Sequence, residues 1–292
     1  MKVRHGLLLV VVVVFSALVA GALTIEEIMK YRTIGEVRVS PDGQRAVFVV
    51  SSINFDDNVF NSDLWMLDLA TSLPAAGPPG RAGRRHVQLT RWGKRDNNPR
   101  WSPDGPEGSG RIAFLSDRPG KGTEKDKVNI WVLYADGGEP EQVTDVKSNI
   151  GSFEWVPDGS GFIFSMTDPP TAEEEKRKKE KNDPTLVDKQ FKFARLYRFK
   201  LGDKDPTLLT REDYHVNSFD ISPDGQWVAF GWQPTPKVPD FRKSDLKLLN
   251  LGSGEIRDLV ARSGQDSAPR FSPDGKWIAF TSADSEEDWI GN

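Results

Sequence analysis

The tetrapeptide Ser-Pro-Asp-Gly recurs at residues 40–43, 102–105, 222–225 and 272–275, and a variant with Val in place of Ser stands at 156–159. Successive copies start 62, 54, 66 and 50 residues apart, the spacing of a modular array. Each copy has the chemistry of a tight turn. Pro presets φ at the first central position, Asp bonds back to the backbone, and Gly takes the left-handed position that closes the loop. A short apolar run follows each turn, such as Trp227, Val228, Ala229 and Phe230, or Trp277, Ile278, Ala279 and Phe280. These runs do not alternate apolar with polar, so both faces of the strand need cover.

A second half-unit follows each hairpin: a strand, a turn, then a strand often ending in Leu-Thr or Val-Thr. It is clearest at 129–144, where Asp136, Gly137 and Gly138 make a strong hairpin turn. Two hairpins make a four-stranded blade, and sheets stacked face to face around an axis bury both sides of their strands. The expectation is therefore an all-β chain, a β-propeller of about four and a half blades with an incomplete ring. Both ends offer the same first half-unit, so neither is expected to complete the other. The propeller is placed at 36–292, ending within a fifth blade. A capped helix and lead-in occupy 23–35, opened by the capping box of Thr24 and Glu27. Two stretches break the rhythm: a Pro-, Gly- and Ala-rich loop at 73–85, and a charged insertion at 171–192, read as a solvated loop or short exposed helix.

Residues 1–22 read as a signal peptide. Lys2, Arg4 and His5 precede an apolar run from Gly6 to Leu23, and Ala20, Gly21 and Ala22 form a small-residue cleavage site. The chain is accordingly expected to be exported, to the periplasm or the outside, with membrane attachment only if that segment stays uncleaved. With no cysteine there is no disulfide framework, thiolate metal site or cysteine nucleophile. Loss of Lys2 and Arg4 takes the formal charge from −4 to −6, a poor balance for binding nucleic acid.

The joint pattern is more specific than a propeller. The opening Leu23, Thr24, Ile25, Glu26 and Glu27, the run Val37, Arg38 and Val39 into the first turn, and the later Trp-Val-Ala-Phe-type strands resemble the N-terminal propeller of the prolyl oligopeptidase family of serine peptidases, nearest its acylaminoacyl-peptidase and dipeptidyl-aminopeptidase-like branch. The periplasmic Tol-system propeller, a non-catalytic interaction scaffold, uses similar repeats and is the alternative. The peptidase resemblance implies that the chain gates or positions peptide substrates for an α/β-hydrolase domain carrying a Ser-Asp-His triad. No Gly-x-Ser-x-Gly elbow occurs here, so the chain alone is expected to be inactive.

Candidate site residues are few. His86 and His215 lie at strand beginnings in different blades, where packing is the ordinary role. Asp42, Asp104, Asp158, Asp224 and Asp274 serve separate turns, which leaves no metal site expected, and no cofactor. Relatives in the resembled family grip a substrate's α-amino group with paired glutamates, and Glu173 and Glu174 are the residues here that resemble such a pair. The family's preceding aromatic context is missing, since Pro170, Thr171 and Ala172 stand there. Trp65, Trp101, Trp131, Trp155, Trp227 and Trp277 are read as one recurring position that packs blade on blade.

Overall fold

The structure, a computed structural model, describes residues 24–55, 57–69, 86–103, 110–120, 127–182 and 191–283. The signal-peptide reading, the loop at 73–85, Asp104, and residues 183–190 of the insertion lie outside the described residues. A short helix α1 (Ile25–Met29) opens them, with Thr24 Oγ1 accepting from Glu27 N and the Glu27 carboxylate accepting from Thr24 N. Four sheets then follow in chain order, each a four-stranded antiparallel meander. They are β1 (Thr33–Val39) to β4 (His86–Gln88), β5 (Asp96–Trp101) to β8 (Glu141–Gln142), β9 (Ile150–Trp155) to β12 (Thr207–Leu208), and β13 (His215–Ile221) to β16 (Ile256–Val260). A two-stranded sheet, β17 (Asp266–Phe271) and β18 (Ile278–Ser282), completes the described chain. This is the all-β propeller architecture, in which each sheet is one blade. Strand β1 opens at Thr33, inside the stretch read as lead-in, because Thr33 and Ile34 already pair with Ser51 and Val50.

The turns joining first and second strands repeat one bonding pattern. In the first, Ser40 Oγ donates to Asp42 Oδ1 at 2.5 Å and accepts from Arg45 N at 2.9 Å, while Asp42 Oδ1 accepts from Gln44 N at 3.0 Å. The same bonds recur at Ser222 with Asp224 and at Ser272 with Asp274. The bonded serine holds Asp42, Asp224 and Asp274 below the usual carboxylate range, with the backbone N–H two residues on as the second cause. The closing glycines, Gly43, Gly159, Gly225 and Gly275, have φ between 69° and 72°. Little crowds an added Cβ at Gly43, so it is the left-handed backbone that calls for glycine there.

Blade-on-blade packing supplies the core. Val47, Val49 and Leu64 of the first blade meet Ile112, Phe114 and Leu133 of the second. Ala113 and Leu115 point the other way, into a cluster with Phe153, Phe162 and Phe164 of the third. Ile163 and Leu196 leave that third sheet on its far side to meet Phe219, Val228 and Phe230 of the fourth. Adjacent residues of one strand thus serve two different interfaces. The inner strands are also stitched together: Arg100 Nε donates to both carboxylate oxygens of Glu154, and Arg270 pairs with Asp220 at 3.1 Å.

The tryptophans do not share one position, contrary to the sequence reading. Trp65 and Trp131 lie in third strands, Trp101 and Trp155 end first strands, and Trp227 and Trp277 begin or precede second strands. Trp101 and Trp155 do join blades, donating Nε1–H to the carbonyls of Arg38 and Arg100 in the preceding blade. Trp277 is 75% exposed, because its sheet has a neighbour on one side only among the described residues.

Phe230 and Phe280 occupy equivalent positions, yet Phe230 is fully buried and Phe280 is 40% exposed. Phe230→Ala is expected to cost about 3–5 kcal/mol. Phe280→Ala should cost less, about 1–2 kcal/mol, as only part of that side chain leaves water. Urea unfolding of the two variants checks the contrast, and equal losses would contradict the packing described.

Candidate functional site

Because strands alternate in direction, each blade sends its first and third connections to one end and its second connection, with the link to the next blade, to the other. That second end carries the 117–128, 168–193 and 234–244 connections, with Glu173, Glu174 and His215. The segment between β10 (Gly161–Thr167) and β11 (Ala194–Lys200) holds helix α2 (Ala172–Lys179). It is capped by Thr171, whose N–H donates to Glu174 Oε2 at 2.7 Å and whose Oγ1 accepts from Glu174 N. Lys192 Nζ reaches the same carboxylate at 2.6 Å, and these bonds, Lys192 first, hold Glu174 down to about 2. Glu173 is 79% exposed and lies 4.0 Å from Arg177. The two glutamates therefore share one helical turn but differ in state: one carboxylate is engaged and the other faces water.

His215 is half-buried, and its Nδ1 accepts from Ala194 N at 3.1 Å; burial pushes its pKa down. His86 lies against Trp65, with ring centroids 5.7 Å apart. Among the described residues no group of three or more His, Asp or Glu side chains is arranged to hold a metal ion.

A set of residues that the sequence reading passed over organises this end. One residue of each third strand, first or second in the later blades and fifth in the longer strand Val59–Asp68 of the first, reaches the loop that leads to the next blade, two positions beyond the Thr or Val that follows or ends the fourth strand. Asp63 Oδ1 accepts from Trp92 N at 3.1 Å, Asn129 Oδ1 from Val146 N at 3.0 Å, and Asp245 Oδ1 from Arg262 N at 3.4 Å. Arg195 does the same with opposite polarity, donating to the Glu212 carbonyl at 2.5 Å while pairing with Asp168 at 2.7 Å and Asp213 at 3.1 Å. One residue further on, Leu64, Ile130 and Leu196 donate their N–H to the buried hydroxyls of Thr90, Thr144 and Thr210. This explains the Thr after the fourth strand in the first three blades; Val260 stands at that position in the fourth. The signal lay in aligning the second half-units, but Asp, Asn, Arg and Asp at one position hide it.

Asp63 also borders a polar cavity of about 220 Å³ shared with Arg32, Ser52, Asn61, Trp65 and Gln88. Burial, and then the charge of Asp96, raise the Asp63 carboxyl. Burial likewise raises Asp245, with Asp266 and Asp258 adding to it. No helix among the described residues is long and apolar enough to cross a membrane.

Known proteins bear on this geometry. No protein-family model matches the chain. It is 24% identical to the uncharacterized peptidase YuxL of Bacillus subtilis over 266 residues, 91% of this chain and 32% of that protein. Against dipeptidyl-peptidase 5 of Porphyromonas gingivalis the identity is 26% over 294 residues, 90% of this chain and 39% of that protein. The chain thus spans a third to two-fifths of the length of these relatives. Among solved structures, TolB of Acinetobacter baumannii superimposes with a TM-score of 0.52 at 17% identity, covering 87% of this chain and 52% of that one, which speaks for the fold alone. The chain is a β-propeller that is similar along nine-tenths of its length to these peptidases. The resemblance to the prolyl oligopeptidase family, first carried by the turn and strand motifs, is carried by these matches as well.

The loop-tying position gives a test with a definite sign. A carboxyl whose folded pKa is raised favours folding fully below its unfolded pKa, near 3.8, and loses that contribution as pH rises through the folded value. Asp245→Asn keeps an acceptor for Arg262 N, as Asn129 does for Val146, and removes the charge. Its melting temperature should exceed that of the parent at pH 7, with the gap closing towards pH 3. A gap that widens on acidification would contradict the assignment.

Proposed function

We propose that this chain is the propeller part of an exported peptidase of the prolyl oligopeptidase family, which restricts and positions peptide substrates for a Ser-Asp-His hydrolase domain carried outside these 292 residues. The observation that carries the reading is the match to peptidases along nine-tenths of the chain but only about a third of their length. The turn and strand motifs support it, and the lack of any Gly-x-Ser-x-Gly elbow assigns the chemistry elsewhere. Residues 1–22 serve export in this reading. A propeller suits a gate because its axis is lined by successive inner strands, so passage is limited to thin, extended chains.

Within this reading Glu173 is the carboxylate available to a substrate's α-amino group, since Glu174 already holds Lys192 and Thr171. Assays on fluorogenic dipeptides and on a peptide of about thirty residues test the proposal. This chain alone should turn over neither; joined to a hydrolase domain it should favour the short substrate, and deleting the propeller should remove that preference. Turnover by the chain alone, or length discrimination that survives the deletion, would overturn it. Glu173→Ala in the joined enzyme should raise KM for free-amino peptides and leave blocked peptides unchanged; an unchanged KM would remove Glu173 from the site.

A further inference from the structure

One residue before the loop-tying position, the short fourth strands of the first three blades no longer reach the third, and a backbone N–H is left to be met from the next blade. In the first blade Ser62 N donates to the Lys94 carbonyl at 2.8 Å. In the second Val128 N donates to Asn149 Oδ1 at 3.0 Å, and in the third Ala194 N donates to His215 Nδ1 at 3.1 Å. Asn149 and His215 hold the same place in the repeat, seven residues before Val156 and Ser222 of their turns. A carbonyl or amide oxygen accepts throughout the neutral range. An imidazole nitrogen accepts only while it is unprotonated.

The third-blade contact lies where the connection bearing α2 returns to the sheet. Asp168 N donates to the Phe193 carbonyl at 2.8 Å, and Phe193 N to Asp168 Oδ2 at 3.3 Å, so the two ends of that connection are tied to each other. Ala194 follows as the first residue of β11. Lys192, two residues earlier, anchors α2 through Glu174 and also donates to the Pro169 carbonyl at 3.1 Å. On the other side His215 opens β13, opposite Gln233 of β14 (Trp227–Gln233), whose amide is engaged with the Thr235 carbonyl at 2.7 Å. Both partners thus sit between two blades whose four strands are all described.

Charged groups on the elements packed here are matched or face water. Asp168 and Asp213 pair with Arg195, Lys192 with Glu174, and Asp240 with Lys243. Lys237 lies over the Phe191 ring, and Arg211 and Glu212 are exposed in the link. Burial alone pushes the His215 pKa below its ordinary value. We propose that His215 is a pH-sensitive joint between the third and fourth blades, which holds the start of β11 when neutral and releases it when protonated. In the protonated ring Nδ1–H meets the Ala194 N–H donor to donor, and the strand end that carries Lys192 loses its tie to β13. Because the folded value is the lower one, the contribution is complete above 6.5 and is lost as pH falls through the folded value. The inference is independent of the peptidase reading.

Hydrogen exchange of the 292-residue chain tests this within one molecule, with each amide's rate taken relative to its unstructured rate at the same pH. From pH 7 down to about pH 5, protection of the Ala194 amide should fall several-fold, while that of Val128, held by Asn149, stays constant. His215→Asn puts the second blade's acceptor into the third, and its Ala194 amide should keep its protection across the same range. Ala194 and Val128 amides that respond alike in the parent would overturn the proposal, as would a His215→Asn chain that loses Ala194 protection on acidification. If the variant fails to fold, the two parent amides decide, together with the His215 titration followed by NMR. An imidazole midpoint at or above 6.5 would also overturn it.

Discussion

A strand that is apolar on both faces must be covered twice, and this requirement governs the molecule. Ile112 and Phe114 of one strand face the first blade while Ala113 and Leu115 face the third, so the second blade is stable only between two neighbours. Burying a side chain such as Phe114 or Phe164 contributes about 1.5–3 kcal/mol. A lone four-stranded sheet would forfeit that on both sides. The stack follows, and with it the parallel inner strands and two chemically distinct ends. Where a sheet has one described neighbour the consequence is visible, as in the exposure of Trp277 and Phe280.

The turns set the stack's register. The Ser-Pro-Asp-Gly loops at Ser40, Ser222 and Ser272 are each bonded internally by a serine hydroxyl and an aspartate, so they need nothing from their surroundings to form. Neighbouring blades are then joined by groups that point out of the inner strands, including the Trp101 and Trp155 indoles and the Arg100–Glu154 and Arg270–Asp220 pairs. At the opposite end the third-strand residues Asp63, Asn129, Arg195 and Asp245 fix the loops between blades. One end is ordered by local turn chemistry and the other by contacts between distant segments.

That difference explains what could be read from the chain. The tetrapeptide turns, the doubly apolar strands and the Thr24 capping box are local patterns, and the architecture followed from them. The second capping box, Thr171 with Glu174, was equally local but was submerged in the surrounding charge. The third-strand residues escaped because one geometric role is filled by three residue types, two of them acceptors and one a donor. The tryptophans misled for the converse reason, as one residue type fills three roles. As for the candidate site, Glu173 and Glu174 are adjacent in sequence, and only the fold reveals that Lys192, 18 residues on, occupies one of them.

Hydrogen exchange resolved to single amides tests the central claim, that stability comes from cover on both faces. Amides of β6 (Arg111–Ser116), β10 and β14 (Trp227–Gln233), each between two blades, should exchange slowest and at similar rates. Those of β18, with one neighbouring blade, should exchange orders of magnitude faster, although its turn carries the same serine and aspartate bonds. Equal protection in β18 and β14 would show that each blade holds itself together, and would contradict the account.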